Sequence, residues 1–278
     1  MSQMADLPPS KKKNRYEIII ERIFFSRYKS GDRAVQFARP EIASVATELD
    51  IALPKNIGDL IYSFRYRYEL PDSILSTAEP GLEWIIEGCG QALYQFKLVK
   101  LNRIIPREDL VTIKVPDSTP EIITAYALSD EQALLAKVRY NRLIDIFLGI
   151  TAYSLQNHLR TNLKSTGQIE IDEMYVGIDR YGRQFIVPVQ AKGGSDKHGV
   201  VQTNQDIAYC QTKFPDLVCR AVSAQFMSDD RIAMFELTVQ DSEVRVVEEK
   251  HYRLVPSNSI KSEDLREYNL RSAPPSEF

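Results

Sequence analysis

QIEIDEMYVGIDRYGRQFIVPVQAKGG, residues Gln168–Gly194, is the stretch on which the fold turns. Two runs rich in β-branched and aromatic residues flank Asp179-Arg180-Tyr181-Gly182. That tetrapeptide suits a turn, because an Asp side chain bonds its own backbone and Gly accepts a positive φ. A hairpin centred on Tyr181 pairs residues whose numbers sum to 362. Asp172 then lies across from Gln190, and Glu170 across from Lys192. Side chains alternate along a strand with period two, so Glu170, Asp172, Gln190 and Lys192 are expected on one face at one end. A slip of one residue would scatter them. Phe185 to Val189 is a nearly continuous apolar run, the pattern of a central strand covered on both faces. Pro188 is awkward there, since it has no N–H for the ladder. A lysine closing such a strand is unusual unless it is paired or functional.

Downstream, the spacing predicts a helix over about 200–213 and strands over 217–226, 232–239 and 244–255. Gln202, Thr203, Asn204, Gln205 and Gln211 give the helix an amide-rich face, while Val201, Ile207, Ala208 and Cys210 can pack on a sheet. The linking segment 193–199 reads as a flexible loop able to meet phosphate through backbone N–H groups, with His198 as loop decoration. Upstream, Ser129 with Gln132 forms a capping-box signal, and apolar residues keep helical spacing from Leu134 to Leu155, with a kink expected at Gly149. Residues 105–128, with Pro106, Pro116 and Pro120, read as a connector holding at most one strand. Residues 257–278 read as a loose tail. The expected fold is α/β (α+β), with a mixed sheet flanked by helices over 129–256.

The N-terminal part divides off as 14–104, after a polar tail at 1–13 that becomes basic at Lys11. Tyr16, Ile19, Ile20, Ile23 and Phe24 recur at helical spacing, and so do Ile42, Val45, Ala46 and Leu49 behind Pro40. Asn56 with Asp59 caps a third helix, whose buried stripe is Ile57, Leu60, Ile61 and Phe64. Glu83–Ile86 and Leu93–Leu98 form a hairpin through Gly88-Cys89-Gly90. Three helices and a hairpin resemble a winged helix-turn-helix, whose third helix enters the major groove. Lys55, Asn56, Ser63, Arg65 and Arg67 are expected to be exposed donors that read phosphates and base edges. The same elements also suit a plain partner-binding domain.

Composition narrows the function. The chain has 278 residues, 44% apolar and 26% charged, with no internal repeat, which excludes wholesale disorder and solenoids. No run approaches 18 uncharged apolar residues, so no membrane span is expected, and residues 1–15 lack the apolar core of a secretory signal. Three cysteines and three histidines are too few and too scattered for a disulfide framework or zinc site. The cysteines are expected to be small buried apolar groups in a cytoplasmic protein. The net charge is −3; residues 1–110 carry 16 basic against 15 acidic side chains, and 111–278 carry 19 against 23. DNA binding would therefore depend on local patches rather than a global basic excess.

Two carboxylates and an amide carbonyl are hard oxygen ligands of the kind that hold Mg²⁺, and a neighbouring lysine can orient an attacking water. The plain alternative is a surface ribbon with a Glu170–Lys192 salt bridge worth ~0.2–1 kcal/mol. Asp172 and Gln190-Ala191-Lys192, with seventeen residues between Asp172 and Gln190, resemble the PD-(D/E)XK nuclease signature. The strand–turn–strand–helix–strand order over 169–226 is similar to that superfamily's core. The resemblance implies that Asp172, Gln190 and the Ala191 carbonyl bind Mg²⁺ and that Lys192 is catalytic. Ile171 stands where the signature has proline, and Gln190 where it has Asp or Glu, at a loss of one negative charge. Glu170 or Glu173 would restore that charge; Asp145 and Glu131, on the preceding helix, are further candidates. By the same resemblance the chain is a type II restriction endonuclease that cuts double-stranded DNA as a homodimer. The alternatives are a winged-helix regulator with a non-catalytic C-terminal domain and a nuclease of repair or transposition.

Overall fold

The structure is a computed structural model that describes residues 14–66, 68–100, 102–126, 131–163, 167–193, 198–241 and 243–271. The protein is a mixed α and β chain of two compact units, residues 1–100 and 101–278.

In the first unit, α1 (Arg15–Phe25) starts at Asn14, whose side chain accepts from Tyr16 N while Glu17 accepts from Asn14 N. Its expected stripe of Ile19, Ile20, Ile23 and Phe24 is buried. A strand that the sequence pattern did not reveal follows, β1 (Ala34–Ala38). Then come α2 (Arg39–Glu48), α3 (Gly58–Tyr66), a single turn α4 (Asp72–Leu75), β2 (Glu83–Gly90) and β3 (Leu93–Val99). The three strands form an antiparallel sheet in the order β1-β3-β2. Phe24 packs edge-on against Trp84 and Phe96, joining α1 to this sheet. The hairpin differs from expectation. Gly88-Cys89-Gly90 belongs to β2, where the register shifts, and the chain reverses at Gln91–Ala92 with Ala92 at φ 55°.

The second unit begins with β4 (Arg103–Ile104), β5 (Thr112–Pro116) and α5 (Glu121–Tyr126). The expected connector is therefore part of this unit, and β5 runs parallel to a distant strand from His251 to Val255. Next, α6 (Glu131–Tyr140) and α7 (Leu143–Leu148) meet at Arg142, held at φ 49°, and α7 stops at Gly149, φ 66°. The chain then extends as β6 (Thr151–Leu163) where helical spacing had been read up to Leu155. Ser129 lies outside the described residues, so its cap is not seen. From there the expected order holds: β7 (Gly167–Ile178), β8 (Gln184–Lys192), β9 (His198–Gly199), α8 (Val200–Lys213), β10 (Val218–Cys219), β11 (Ala221–Phe226), β12 (Arg231–Gln240) and β13 (Glu243–Val255). The expected tail instead carries α9 (Ser262–Arg271), where Asp264 pairs with Lys114 at 2.9 Å and the Tyr268 hydroxyl accepts from Lys114 N.

The large sheet has the order β5-β13-β12-β11-β8-β7-β6, with β10 also on β8. β8 lies parallel to β11 and antiparallel to β7, and it is buried almost throughout. Pro188 is tolerated because the neighbouring strand is interrupted at Arg220, between β10 and β11. Leu134, Val138, Ile144 and Phe147 of α6 and α7 pack on one face with Val187, Val189 and Ala191. On the other face Cys210 of α8 packs with Ile169, Ile171, Met174 and Ile186.

Candidate active site

The β7–β8 register is the expected one from Ile178↔Gln184 to Glu173↔Val189, every pair summing to 362. It stops there. Ile171 and Met174 lie in the same α8-side cluster, so strict alternation slips between them. The two strands are bridged instead by side chains. Ala191 N donates to Asp172 Oδ2 at 2.8 Å, and Gln190 Nε2 donates to the Glu170 carbonyl at 2.8 Å. The two strands thus diverge around a buried carboxylate.

Asp172 is 8% exposed. Burial pushes its carboxyl above the usual carboxylate range, while Lys192 and the Ala191 N–H pull the other way. Gln190, 1% exposed, gives its second amide proton to Asp206 Oδ2 at 2.9 Å. The Glu170 carbonyl can only accept, so the NH₂ end of the Gln190 amide must face it. Asp206 is a residue the sequence reading missed. It is the one acidic side chain of α8 and is almost wholly buried, and its Oδ1 has no hydrogen-bond partner. Burial raises its carboxyl well above the ordinary range, and the Asp172 carboxylate adds to the effect. A signal was present: a single carboxylate inside a helix otherwise free of acids, next to Ile207 on the packing side.

Lys192 is brought to the same end but does not meet Glu170. Its Nζ pairs with Glu131 Oε1, the first residue of α6, at 3.1 Å. Glu170 is held by Arg160 directly across β6, at 2.8 Å, so the expected Glu170–Lys192 alignment on one face is corrected. The alternation slip beside Asp172 turns Glu170 away from Lys192. Glu173 points to the opposite face, where Arg139 and Ser154 hold it, and Asp145 is taken by Arg142 and by Ala152 N. Neither can supply the charge missing at Gln190. Ala191 is seen using its N–H rather than its carbonyl. His198 is no loop decoration: it is buried in β9 with Nε2 3.2 Å from Thr203 Oγ1. Residues 194–197, the rest of that loop, lie outside the described residues.

In the first unit Lys55 and Asn56 are exposed, as expected. Asn56 accepts from Gly58 N and donates to Asp59, the predicted cap. Ser63 is a correction: it is 8% exposed, and its hydroxyl donates to the Asp59 carbonyl one turn back. Arg65 is half-buried, and Arg67 lies outside the described residues. Cys210 is buried as expected, whereas Cys89 and Cys219 are partly exposed.

Among the described residues no three His, Cys, Asp or Glu side chains converge closely enough to hold a metal ion by themselves. The oxygens on offer are two neighbouring buried carboxyl groups, Asp172 and Asp206, with the Gln190 amide bonded to the second. The partnerless Asp206 oxygen lacks the positive charge that buried carboxylates need. A hard divalent cation fits that donor set. No helix among the described residues is long and apolar enough to cross a membrane. No family model, curated protein or solved structure matches this chain.

Proposed function

We propose that the second unit hydrolyses phosphodiester bonds of double-stranded DNA with Mg²⁺, as a type II restriction endonuclease does. The observation that carries the reading is the meeting of Asp172, Gln190, Asp206 and Lys192 where β7 and β8 part. Asp172, Asp206 and the Gln190 and Ala191 carbonyls would hold the cation. When bound, it neutralises phosphate charge and lowers the pKa of a coordinated water. With the cation bound, Asp206 would ionise and restore the negative charge that Gln190 lacks, from a helix instead of the strand. Gln190 ties α8 to β7 by spending one amide proton on Asp206 and one on the Glu170 carbonyl. Lys192 presents an ammonium to the attacking water or to a phosphate oxygen, and Glu131 aims it. Lys55 and Asn56 on the first unit contact the DNA, and a palindromic site favours a homodimer.

A second reading is a winged-helix regulator. The order α1-β1-α2-α3 followed by the β2–β3 hairpin on a three-stranded sheet favours it.

Incubating plasmid with the protein and Mg²⁺ separates the two. Discrete fragments are expected. Lys192→Ala and Asp206→Asn should each lower cleavage at least ~100-fold, the scale of a positioned catalytic group, with DNA affinity largely kept. Tight binding without fragments would favour the regulator. Full cleavage by Lys192→Ala would refute the site.

A further inference from the structure

Strand β7 lies between β8 and β6. The site described above uses the β8 side of Asp172. The β6 side is irregular at the same residue. Asn157 pairs with Glu173 and Leu159 with Ile171, so one register runs past this point. His158 and Asp172 face each other between those two pairs, yet they do not pair. Opposed residues of such a ladder lie about 4.5–5.5 Å apart at Cα. His158 is held at φ 48°, in the left-handed region. A side chain other than glycine is strained there, and such residues gather at functional sites. A local break in a ladder beside an active site commonly re-aims one side chain.

Here the side chain re-aimed is the imidazole. His158 Nε2 lies 2.8 Å from Gln132 Nε2 of α6. Gln132 follows Glu131, whose carboxylate holds Lys192. The first two residues of α6 therefore fix both Lys192 and His158. An amide N–H that donates to Nε2 makes that nitrogen the acceptor of the ring, so the neutral imidazole carries its proton on Nδ1. His158 is exposed, and among the described residues its Nδ1 has no hydrogen-bond partner. The result is an oriented N–H donor opposite Asp172, reached from the strand that the nuclease residues do not use.

A phosphodiester has two non-bridging oxygens. A cation held by Asp172 takes one of them and leaves the other in need of a donor. We infer that His158 binds substrate at this site, donating Nδ1–H to the second non-bridging oxygen of the phosphate under attack. The inference rests on the nuclease reading.

The test separates the ring from the backbone it sits on. The full chain, in saturating amount, is incubated with supercoiled plasmid and Mg²⁺, and the first-order cleavage rate is measured for the unaltered protein, His158→Gly and His158→Asn. Melting temperatures are taken alongside. Glycine accepts a positive φ, so His158→Gly keeps the break in the ladder and removes only the ring. It should melt no lower than the unaltered protein and cleave at least ~10-fold more slowly, as loss of one aligned donor to a reacting oxyanion does. Asparagine also tolerates the left-handed region, and its amide N–H stands in for Nδ1–H. His158→Asn should therefore recover most of what glycine loses. A glycine variant as fast as the unaltered protein, or an asparagine variant as slow as the glycine one, would overturn the inference and leave the nuclease reading standing. An unaltered protein that cuts nothing would overturn both.

Discussion

Among single residues, His198 has the surroundings that most directly set its behaviour with pH. It is buried on β9, bonded to Thr203 of α8, with Lys192 of β8 and Arg103 of β4 near enough to repel its proton. Burial first, and those two cations next, hold its pKa down at about 3, against 6.5 for the free side chain. Between those two values the unfolded chain binds a proton that the folded chain does not. Stability must then rise with pH across this window and level off above it. The contribution approaches ~1.4 kcal/mol per pH unit. Removing the imidazole with His198→Gln should therefore cost less at pH 5 than at pH 7.5, by about 1–2 kcal/mol in urea unfolding. A penalty equal at both pH values would mean that His198 titrates in the native state as it does in the unfolded chain. His198 also shows how a residue's setting escapes the sequence. Its neighbours Gly193 to Gly199 read as a loop, and nothing local foretold that β4 would pair with β9 and bury the ring.

At the scale of elements, the turn from α7 into β6 decides where the hairpin partner lies. Helical spacing persists through Leu155, yet the helix ends at Gly149. Spacing misled because β6 is an edge strand with most positions exposed, so its apolar residues, Tyr153 and Leu155 among them, do not alternate. Gly149 holds φ 66°, a left-handed stop that glycine adopts without strain. Nothing lies within 4 Å of where a Cβ would be, so only backbone strain opposes a side chain there. Gly149→Ala should destabilise the protein by about 1 kcal/mol in chemical denaturation. An unchanged or stabilised variant would mean that Gly149 is not the stop. β5 was obscured for a different reason. Its five residues lie among three prolines, and its parallel partner in β13 is more than a hundred residues away. Pro116 is compatible with it because it closes a strand at the sheet edge.

For the whole molecule, charge is the controlling fact. With a net charge of −3, the chain has no general attraction for DNA, so the DNA binding proposed above would rest on a few exposed groups. Burial removes Ser63 from that set and leaves Lys55 and Asn56 at the start of α3. Each phosphate contact contributes about 0.9 to the slope of log affinity against log salt. Lys55→Ala should thus lower the slope by about one while weakening binding to all sequences alike, as read by fluorescence anisotropy over a salt series. An unchanged slope would move the contact elsewhere on the protein.

Short-range chemistry was legible from residue order alone. Periodicity identified α1, α2, α3, α8 and most of the strands from β7 onward, though not β9, and the Asp179–Gly182 turn set the β7–β8 register from Ile178↔Gln184 as far as Glu173↔Val189. Those features rest on covalent geometry and on bonds between near neighbours, which residue types encode directly. The partners at the candidate site do not. Gln190 meets Asp206 across 16 residues and Lys192 meets Glu131 across 61, because α8 and α6 pack on opposite faces of one sheet. That packing is driven by buried apolar area, which has no direction and names no polar partner. Only the folded chain could place a carboxylate from a helix beside the glutamine of a strand.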